Sequence, residues 1–473
     1  MKSKSRIMLA VGMAAFVAQV ASASPQVTSV NMVQGPNSRL VTITYTLSEA
    51  PAVVTLDIET NYVENTVEKW ASIGGEHIWN ADGDVWRKVT TTSGTITWRP
   101  DKSWKDPDGN GFEVDGSTSK ARAKVTAWPL GNTPDYMVVD ISEGAAKNSQ
   151  KYYPAVDFLP GSIPGQIGSI TNNTDYRQSS IVMRKIMAKD VTWTMGSIGE
   201  NGRSDDEATH KVTLTNNYYI GVFPVTQCQW ALIQTARSWP SYFNNVEDRA
   251  MRPVEYLAYN EIRLMKGTGT GNTVSAVGDS ELEEYSWPKD PHPDSFLGKL
   301  RDKTGIDFDL PSEAEWEFAC RAGNGEGKWG DGSAIMGIAN DGNLNKISRN
   351  QYSGGKVGGT QTATQSCGAT NGTAIAGTYL PNSWGLYDFH GNVLEFCLDW
   401  YEAGITNNNG MVNINISNPK LSLSGTAASK RVRRGGTYNT NAYNCRSACR
   451  ESDAPTRRRE GNGCRLACRA GLE

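Results

Sequence analysis

Several things are scarce in this sequence. Histidine occurs four times in 473 residues, as His77, His210, His292 and His390. There is no excess of either charge: 47 Lys and Arg stand against 50 Asp and Glu, a net charge of −3, so nothing in the bulk points to nucleic acid. Cysteine is absent before Cys228, so no inter-sheet disulfide can support the N-terminal part. Aliphatic residues are modest, and Ile7–Val20 is the one long apolar run. That run follows Lys2, Lys4 and Arg6 and precedes Ala21-Ser22-Ala23, a small-x-small cleavage pattern. It reads as a secretory leader over 1–23, too short for a confident membrane span, with a retained anchor as the alternative. The expectation is an exported protein, periplasmic or extracellular, with no transmembrane anchor after leader cleavage, in a compartment where disulfides persist.

What is present is Gly, Asn, Thr and Trp, a composition that suits a loop-rich β protein better than a helical bundle. Over 24–146 the pattern has period two. Val41, Ile43, Tyr45 and Leu47 alternate with Thr42, Thr44 and Thr46. Val54, Leu56 and Ile58 repeat this, as do Ile96 and Trp98, and Ala121, Ala123, Val125 and Ala127. β-branched residues at period two between turn-forming clusters predict half-buried antiparallel strands, and about six or seven of them suggest an immunoglobulin- or fibronectin-like β-sandwich. Residues 147–180 lose periodicity and gain Gly, Pro, Ser and Asn, as a linker or extended strap would. A second domain is expected over 181–473. Thr226 to Gln229 after Pro224, and Ser312 to Glu315 after Pro311, read as capping boxes, with Trp230 and Trp316 opening the buried faces of two helices. Long Gly- and Asn-rich stretches, Gly267–Val277 and Asn340–Thr378, need ties such as metal ions or disulfides.

A series of motifs runs through this second domain in order. They are "MGS" (195–197), "DEATHKVTL" (206–214), "YYIGVFPVTQCQW" (218–230), "RPVEYLAYNEI" (252–262), "LPSEAEWEFACRAG" (310–323), "PNSWGLYDFHGNVLEF" (381–396) and "RRGGTY" (433–438), with "CRSACR" and "GCRLACR" following. Together they resemble the formylglycine-generating enzyme, or sulfatase-modifying-factor, family. The resemblance implies an α+β fold: an irregular C-type-lectin-like sulfatase-modifying-factor domain, here preceded by an all-β sandwich. Family members include both enzymes and binding modules.

The resemblance also implies sites. Oxidising members hold copper with two thiolates after the Gly-Gly step, at the positions of Thr440 and Cys445 in this chain. Cu(I) prefers soft sulfur, and a hydroxyl cannot replace a thiolate, so copper is not expected. Thr437 stands where the family carries a Ser near the reaction centre, and a plain turn residue is its other reading. Calcium-binding members use positions matching Asp388, the carbonyls of Gly391 and Val393, Glu395 and a distant glutamate matching Glu207. A structural calcium is therefore expected, against a hydrogen-bonded turn without metal. Cys320 matches a position that bridges, in exported relatives, to the strand carrying "CRSACR". Iron-dependent relatives use a histidine-bearing helical domain that this chain lacks.

Other readings come from the residues themselves. If the "CRSACR" and "GCRLACR" segments pair as antiparallel strands, Cys445 faces Cys468 and Cys449 faces Cys464, and two disulfide rungs are possible. Free buried thiols are the alternative, and sequence leaves the connectivity of Cys320, Cys445, Cys449, Cys464 and Cys468 open. "DPDGNG" (106–111) matches half an EF-hand loop, but Ser117 stands where the bidentate Glu belongs, so a plain turn is expected. His390 reads as packed rather than catalytic. "RRRE" (457–460) reads as a solvated loop. Asn439, Thr440, Asn441, Tyr443 and Asn444 form a surface suited to adaptable hydrogen bonding and stacking. The favoured function is a binding or structural module for a protein, peptide or glycan ligand. The alternative is an oxidoreductase that converts a sulfatase cysteine to formylglycine with an altered active site, drawing a second thiol from elsewhere, such as Cys449.

Overall fold

The computed structural model describes residues 24–35, 37–103, 121–244, 248–264, 271–278, 282, 284–355, 372–402 and 430–470. The expected leader (1–23) and the "DPDGNG" turn lie outside them. The N-terminal strands are β1 (Val27–Gln34), β2 (Val41–Leu47), β3 (Ala52–Glu64), β4 (Val67–Ser72), β5 (Asp82–Gly83), β6 (Arg87–Val89), β7 (Ser93–Trp98) and β8 (Ala121–Trp128). They build two antiparallel sheets, one ordered β1-β2-β7-β5, the other centred on β3 with β4, β6 and β8 paired to it. The period-two reading holds on β2, where Val41, Ile43, Tyr45 and Leu47 are buried and the threonines between them are more exposed. Those four join Val54, Leu56, Ile58, Ile96 and Trp98 in one apolar core.

β3 departs from simple alternation, because Ala52 to Leu56 are all buried. Val54 and Leu56 face the core shared by the two sheets, while Val53 packs with Met137, Val139 and Tyr152 on the other side. That other side is a five-stranded sheet ordered β10-β9-β11-β14-β19, with β9 (Tyr136–Asp140), β10 (Lys151–Tyr153), β11 (Ser180–Ile186), β14 (Tyr218–Gly221) and β19 (Ala467–Arg469). The sheet runs across the expected boundaries at 146 and 180, since β9, within the expected sandwich range, and β10, within the expected linker, both pair into the sheet of the C-terminal half. Residues 147–180 are a packed strap. Tyr152 N–H donates to Trp86 O at 2.7 Å, and the Trp86 and Tyr153 rings stack at 5.1 Å.

The C-terminal half adds the hairpin β12 (Val191–Met195) with β13 (His210–Leu214). It also holds a sheet ordered β17-β16-β15-β18, with β15 (Leu394–Trp400), β16 (Arg431–Arg434), β17 (Arg450–Asp453) and β18 (Asn462–Gly463). Helices are few and short. Both capping boxes form, on helices Gln227–Ile233 and Glu313–Arg321, with the Thr226 and Ser312 hydroxyls accepting from backbone N–H three residues on. Trp230 and Trp316 are buried beneath them, Trp316 against Phe389 at 5.1 Å between centroids. Among the described residues no helix is long and apolar enough to cross a membrane.

A fragment starting at Ile181 lacks β9 and β10 and bares the edge of β11, so it should express as aggregate rather than monomer. Size-exclusion chromatography of 181–473 beside the full chain tests this. A monodisperse fragment with an unchanged melting temperature would make 147–180 a dispensable linker after all.

Candidate functional site

The site is built where β16 ends. Gly435 and Gly436 follow at φ 103° and 75°. A Cβ on Gly436 would lie 2.8 Å from Cys445 Sγ, 2.9 Å from Thr440 Oγ1 and 3.0 Å from Asn444 O, so only glycine lets the chain pass over this point. Thr440 and Cys445 therefore do meet, with Oγ1 and Sγ 3.6 Å apart. The Thr440 hydroxyl is fully used in the turn: it accepts from Thr437 N at 2.9 Å and donates to Thr437 O at 3.0 Å. Thr437 is buried and donates to Asn439 Oδ1 at 2.6 Å. Cys445 is fully buried. Burial pushes its thiol up to about 12, against the opposing effect of hydrogen bonding with Thr440 and Ser348, so it stays protonated at neutral pH. One sulfur, protonated, beside a committed hydroxyl does not fit Cu(I).

Beyond the turn, Asn439 is exposed, while Thr440, Asn441, Tyr443 and Asn444 are half-buried. Tyr443 N–H donates to Ile338 O at 2.8 Å, Ala442 N–H to Ala339 O at 3.0 Å, and Gln351 N–H to Thr440 O at 3.0 Å. The loop is thus ordered and anchored from neighbouring segments.

Four of the five expected calcium donors, Asp388, the Gly391 carbonyl, Glu395 and Glu207, are bonded within the protein. Asp388 and Asn392 sit at φ 59° and 64° in a tight turn. Asp388 accepts from Gly377 N at 2.8 Å and Asn392 Nδ2 at 3.3 Å, and burial pushes its carboxyl up to about 6. The Gly391 carbonyl accepts from Val393 N at 2.8 Å, while Gly391 N donates to Gly435 O at 2.6 Å and ties this turn to the Gly435–Gly436 step. Glu395 receives Arg465 at 2.7 Å and Trp316 Nε1 at 2.6 Å. Glu207 receives Arg446 on both oxygens at 2.7 Å. Among the described residues, no three His, Cys, Asp or Glu stand together as a metal-holding group. Two of the three expected carboxylates pair with separate arginines, Glu207 with Arg446 and Glu395 with Arg465, and the turn is closed by its own hydrogen bonds, so these side chains as they stand do not fit a hard divalent ion.

The disulfide ladder is corrected too. The seven described cysteines are free thiols. Cys449 adjoins β17, which pairs with β16, whereas Cys468 lies on β19 opposite Tyr219 of β14, so the two segments never face each other. Cys320 does approach the "CRSACR" segment, but it meets Ser447 Oγ at 3.4 Å, with His390 Nε2 at 3.6 Å. His390 is packed, as expected from sequence. Its Nδ1 donates to Cys445 O at 2.8 Å, its Nε2 accepts from Gly330 N at 3.0 Å, and Trp329 meets it edge-on at 5.2 Å.

The buried arginines were not anticipated. Arg434 bonds the carbonyls of Ser447, Ala448 and Cys449 and the Glu317 carboxylate. Arg450 grips Glu313 bidentately at 2.7 and 2.8 Å. Two signals in the sequence could have hinted at this: Glu317 sits in a helix between apolar Trp316 and Phe318, and "CRSACR" sets an arginine after each cysteine. The "RRRE" reading is corrected at one residue, because Arg458 is buried and bonds Glu261 at 2.8 and 3.0 Å.

Protonating His390 would place a proton between Nε2 and the Gly330 N–H, and burial pulls its pKa down to about 4. Unfolded histidine titrates near ~6.5, so between these values the unfolded chain binds more protons. This contribution to stability is complete above ~6.5 and is lost as pH falls through about 4. Asp388 acts with the opposite sign, its contribution fading as pH rises through about 6. An NMR titration of the imidazole separates the two, and a His390 midpoint near ~6.5 would show a solvated ring.

The model of the "Sulfatase-modifying factor enzyme 1-like domain" matches residues 182–470. The "Formylglycine-generating enzyme" of Mus musculus is 29% identical over 163 residues, which cover 33% of this chain and 38% of that protein. The "Serine/threonine-protein kinase pkn1" of Chlamydia pneumoniae is 23% identical over 277 residues, covering 58% of this chain and 36% of that one. The chain thus spans little more than a third of the length of either curated relative. Among solved structures, "Treponema denticola variable protein 1" is 23% identical, with a TM-score of 0.42, covering 61% of this chain and 95% of its own.

Proposed function

The chain belongs to the sulfatase-modifying factor enzyme 1-like family, and from that membership we propose that its C-terminal half is a binding module and not a copper-dependent oxidase. The observation that carries this reading is the Thr440–Cys445 pair, 3.6 Å apart with one sulfur where two are needed. The ligand site is the anchored loop Asn439–Asn444. Tyr443 presents its ring beside Ile338, which is 48% exposed, where both approach Gly202. Apolar and amide side chains on an ordered loop suit a protein, peptide or glycan ligand. The two N-terminal sheets, in this reading, form an immunoglobulin- or fibronectin-like sandwich that braces the domain. The leader-like 1–23 supports an exported location.

Two measurements test the reading. In competition with a Cu(I) chelator, the wild-type chain should retain no copper, and Thr440→Cys should gain about one Cu(I) per chain by completing a dithiolate. Oxygen-dependent aldehyde formation on a cysteine-bearing sulfatase-motif peptide by the copper-treated wild type would overturn it. On a peptide and glycan array, Tyr443→Ala with Asn441→Ala should weaken any specific binding by about tenfold or more.

A further inference from the structure

The candidate loop is held by a single buried cation. Arg446 follows Cys445 directly and has no exposed surface. Its Nη1 donates to Glu200 Oε2 at 2.8 Å and Glu207 Oε2 at 2.7 Å. Its Nη2 donates to Glu207 Oε1 at 2.7 Å and Gly202 O at 3.3 Å, and its Nε to Tyr443 O at 3.1 Å. Five oxygens from three stretches of chain therefore surround one guanidinium. Glu200 passes the tie onward, its other oxygen accepting from Gly327 N at 3.0 Å, and Glu207 caps its own turn by accepting from Ser204 N at 3.2 Å. The guanidinium carbon also lies 5.0 Å from the Tyr443 ring. Carboxylates and carbonyls gathered around one positive centre are what a hard divalent ion collects. Here the centre is already filled by a side chain whose fork matches a carboxylate bidentately.

We propose that Arg446 is an internal cation that replaces a divalent ion in ordering the loop Asn439–Cys445, so that this domain holds its recognition surface without metal. Arg465 does the same at Glu395, with 2.7 and 3.0 Å contacts to the carboxylate and bonds to the carbonyls of Gly221, Val222 and Tyr387. Burial opposes the charge on Arg446, but Glu207 and Glu200 outweigh it and keep the guanidinium protonated. Arg446 is a positioning residue: it touches no reacting atom and acts through the loop that it pins. The proposal stands or falls on loop order and metal content, whether or not the loop is the ligand site.

The test uses the full chain. After equilibration with calcium and desalting, elemental analysis should find well under about 0.2 Ca²⁺ per chain, and a chelator should move the melting temperature by less than about 1 °C. Arg446→Met should lower the melting temperature by about 5 °C or more, since it leaves two buried carboxylates unpaired. Amide exchange at Ala442 and Tyr443 should rise about tenfold or more in that variant. Arg446→Lys, which keeps the charge but cannot span all five oxygens, should fall between the two and remains informative if Arg446→Met does not fold. One calcium bound per chain with a chelator-dependent melting temperature would overturn the proposal. So would unchanged loop exchange in both variants.

Discussion

Buried guanidinium–carboxylate pairing is the interaction on which the C-terminal half depends. A domain with short helices and long irregular segments carries many carbonyls that no ladder satisfies. Arginine, with five N–H donors in a rigid fork, can serve a carboxylate and several such carbonyls at once. Arg434 does so from β16: it reaches Glu317 on the helix Glu313–Arg321 and the carbonyls of Ser447, Ala448 and Cys449. Arg465 does so from beyond β18, gathering Glu395, Gly221, Val222 and Tyr387. Set against an apolar replacement, such a pair adds little net stability, but losing one partner is expected to cost about 3–5 kcal/mol. The pairs therefore select one arrangement of loops more than they deepen the fold.

That arrangement positions the candidate site. Gly435 accepts from Gly391, so the turn around Asp388 and the turn around Thr437 are bonded back to back. His390 then donates to the carbonyl of Cys445 and fixes the far side of the loop. Within this frame Thr440 locks the turn, because its hydroxyl both accepts from and donates to the backbone of Thr437, bonds that a thiol makes poorly.

The N-terminal strands are part of the same frame. Because β3 is covered on both faces, the two-sheet unit shares apolar contacts with the five-stranded sheet through Val53 and through the Trp86–Tyr153 stack. A spacer would leave one of those faces wet. The packed strap over 147–180 closes the join with the Tyr176 hydroxyl on Pro160 O at 3.0 Å and Arg177 on Ala376 O at 3.1 Å.

Much of this was legible in the residues. Period two on β2, the capping boxes at Thr226 and Ser312, and the ordered motifs from Met195 to Arg469 are written in short windows, because strand pleat, helix cap and turn are local geometries. Thr440 in place of a cysteine could be read at once, since it is a matter of residue identity. The partners could not. Glu207 and Arg446 are 239 positions apart, and nothing near either residue says whether that carboxylate holds a metal ion or a guanidinium. The same holds for Cys320, which finds Ser447 rather than a second sulfur, for Arg458 on Glu261, and for β9 and β10, whose sheet is chosen by β11. Local sequence encodes the shape of each segment and the chemistry each side chain carries. Which opposite charge, sulfur or strand edge it meets is decided only when distant segments pack and desolvate one another.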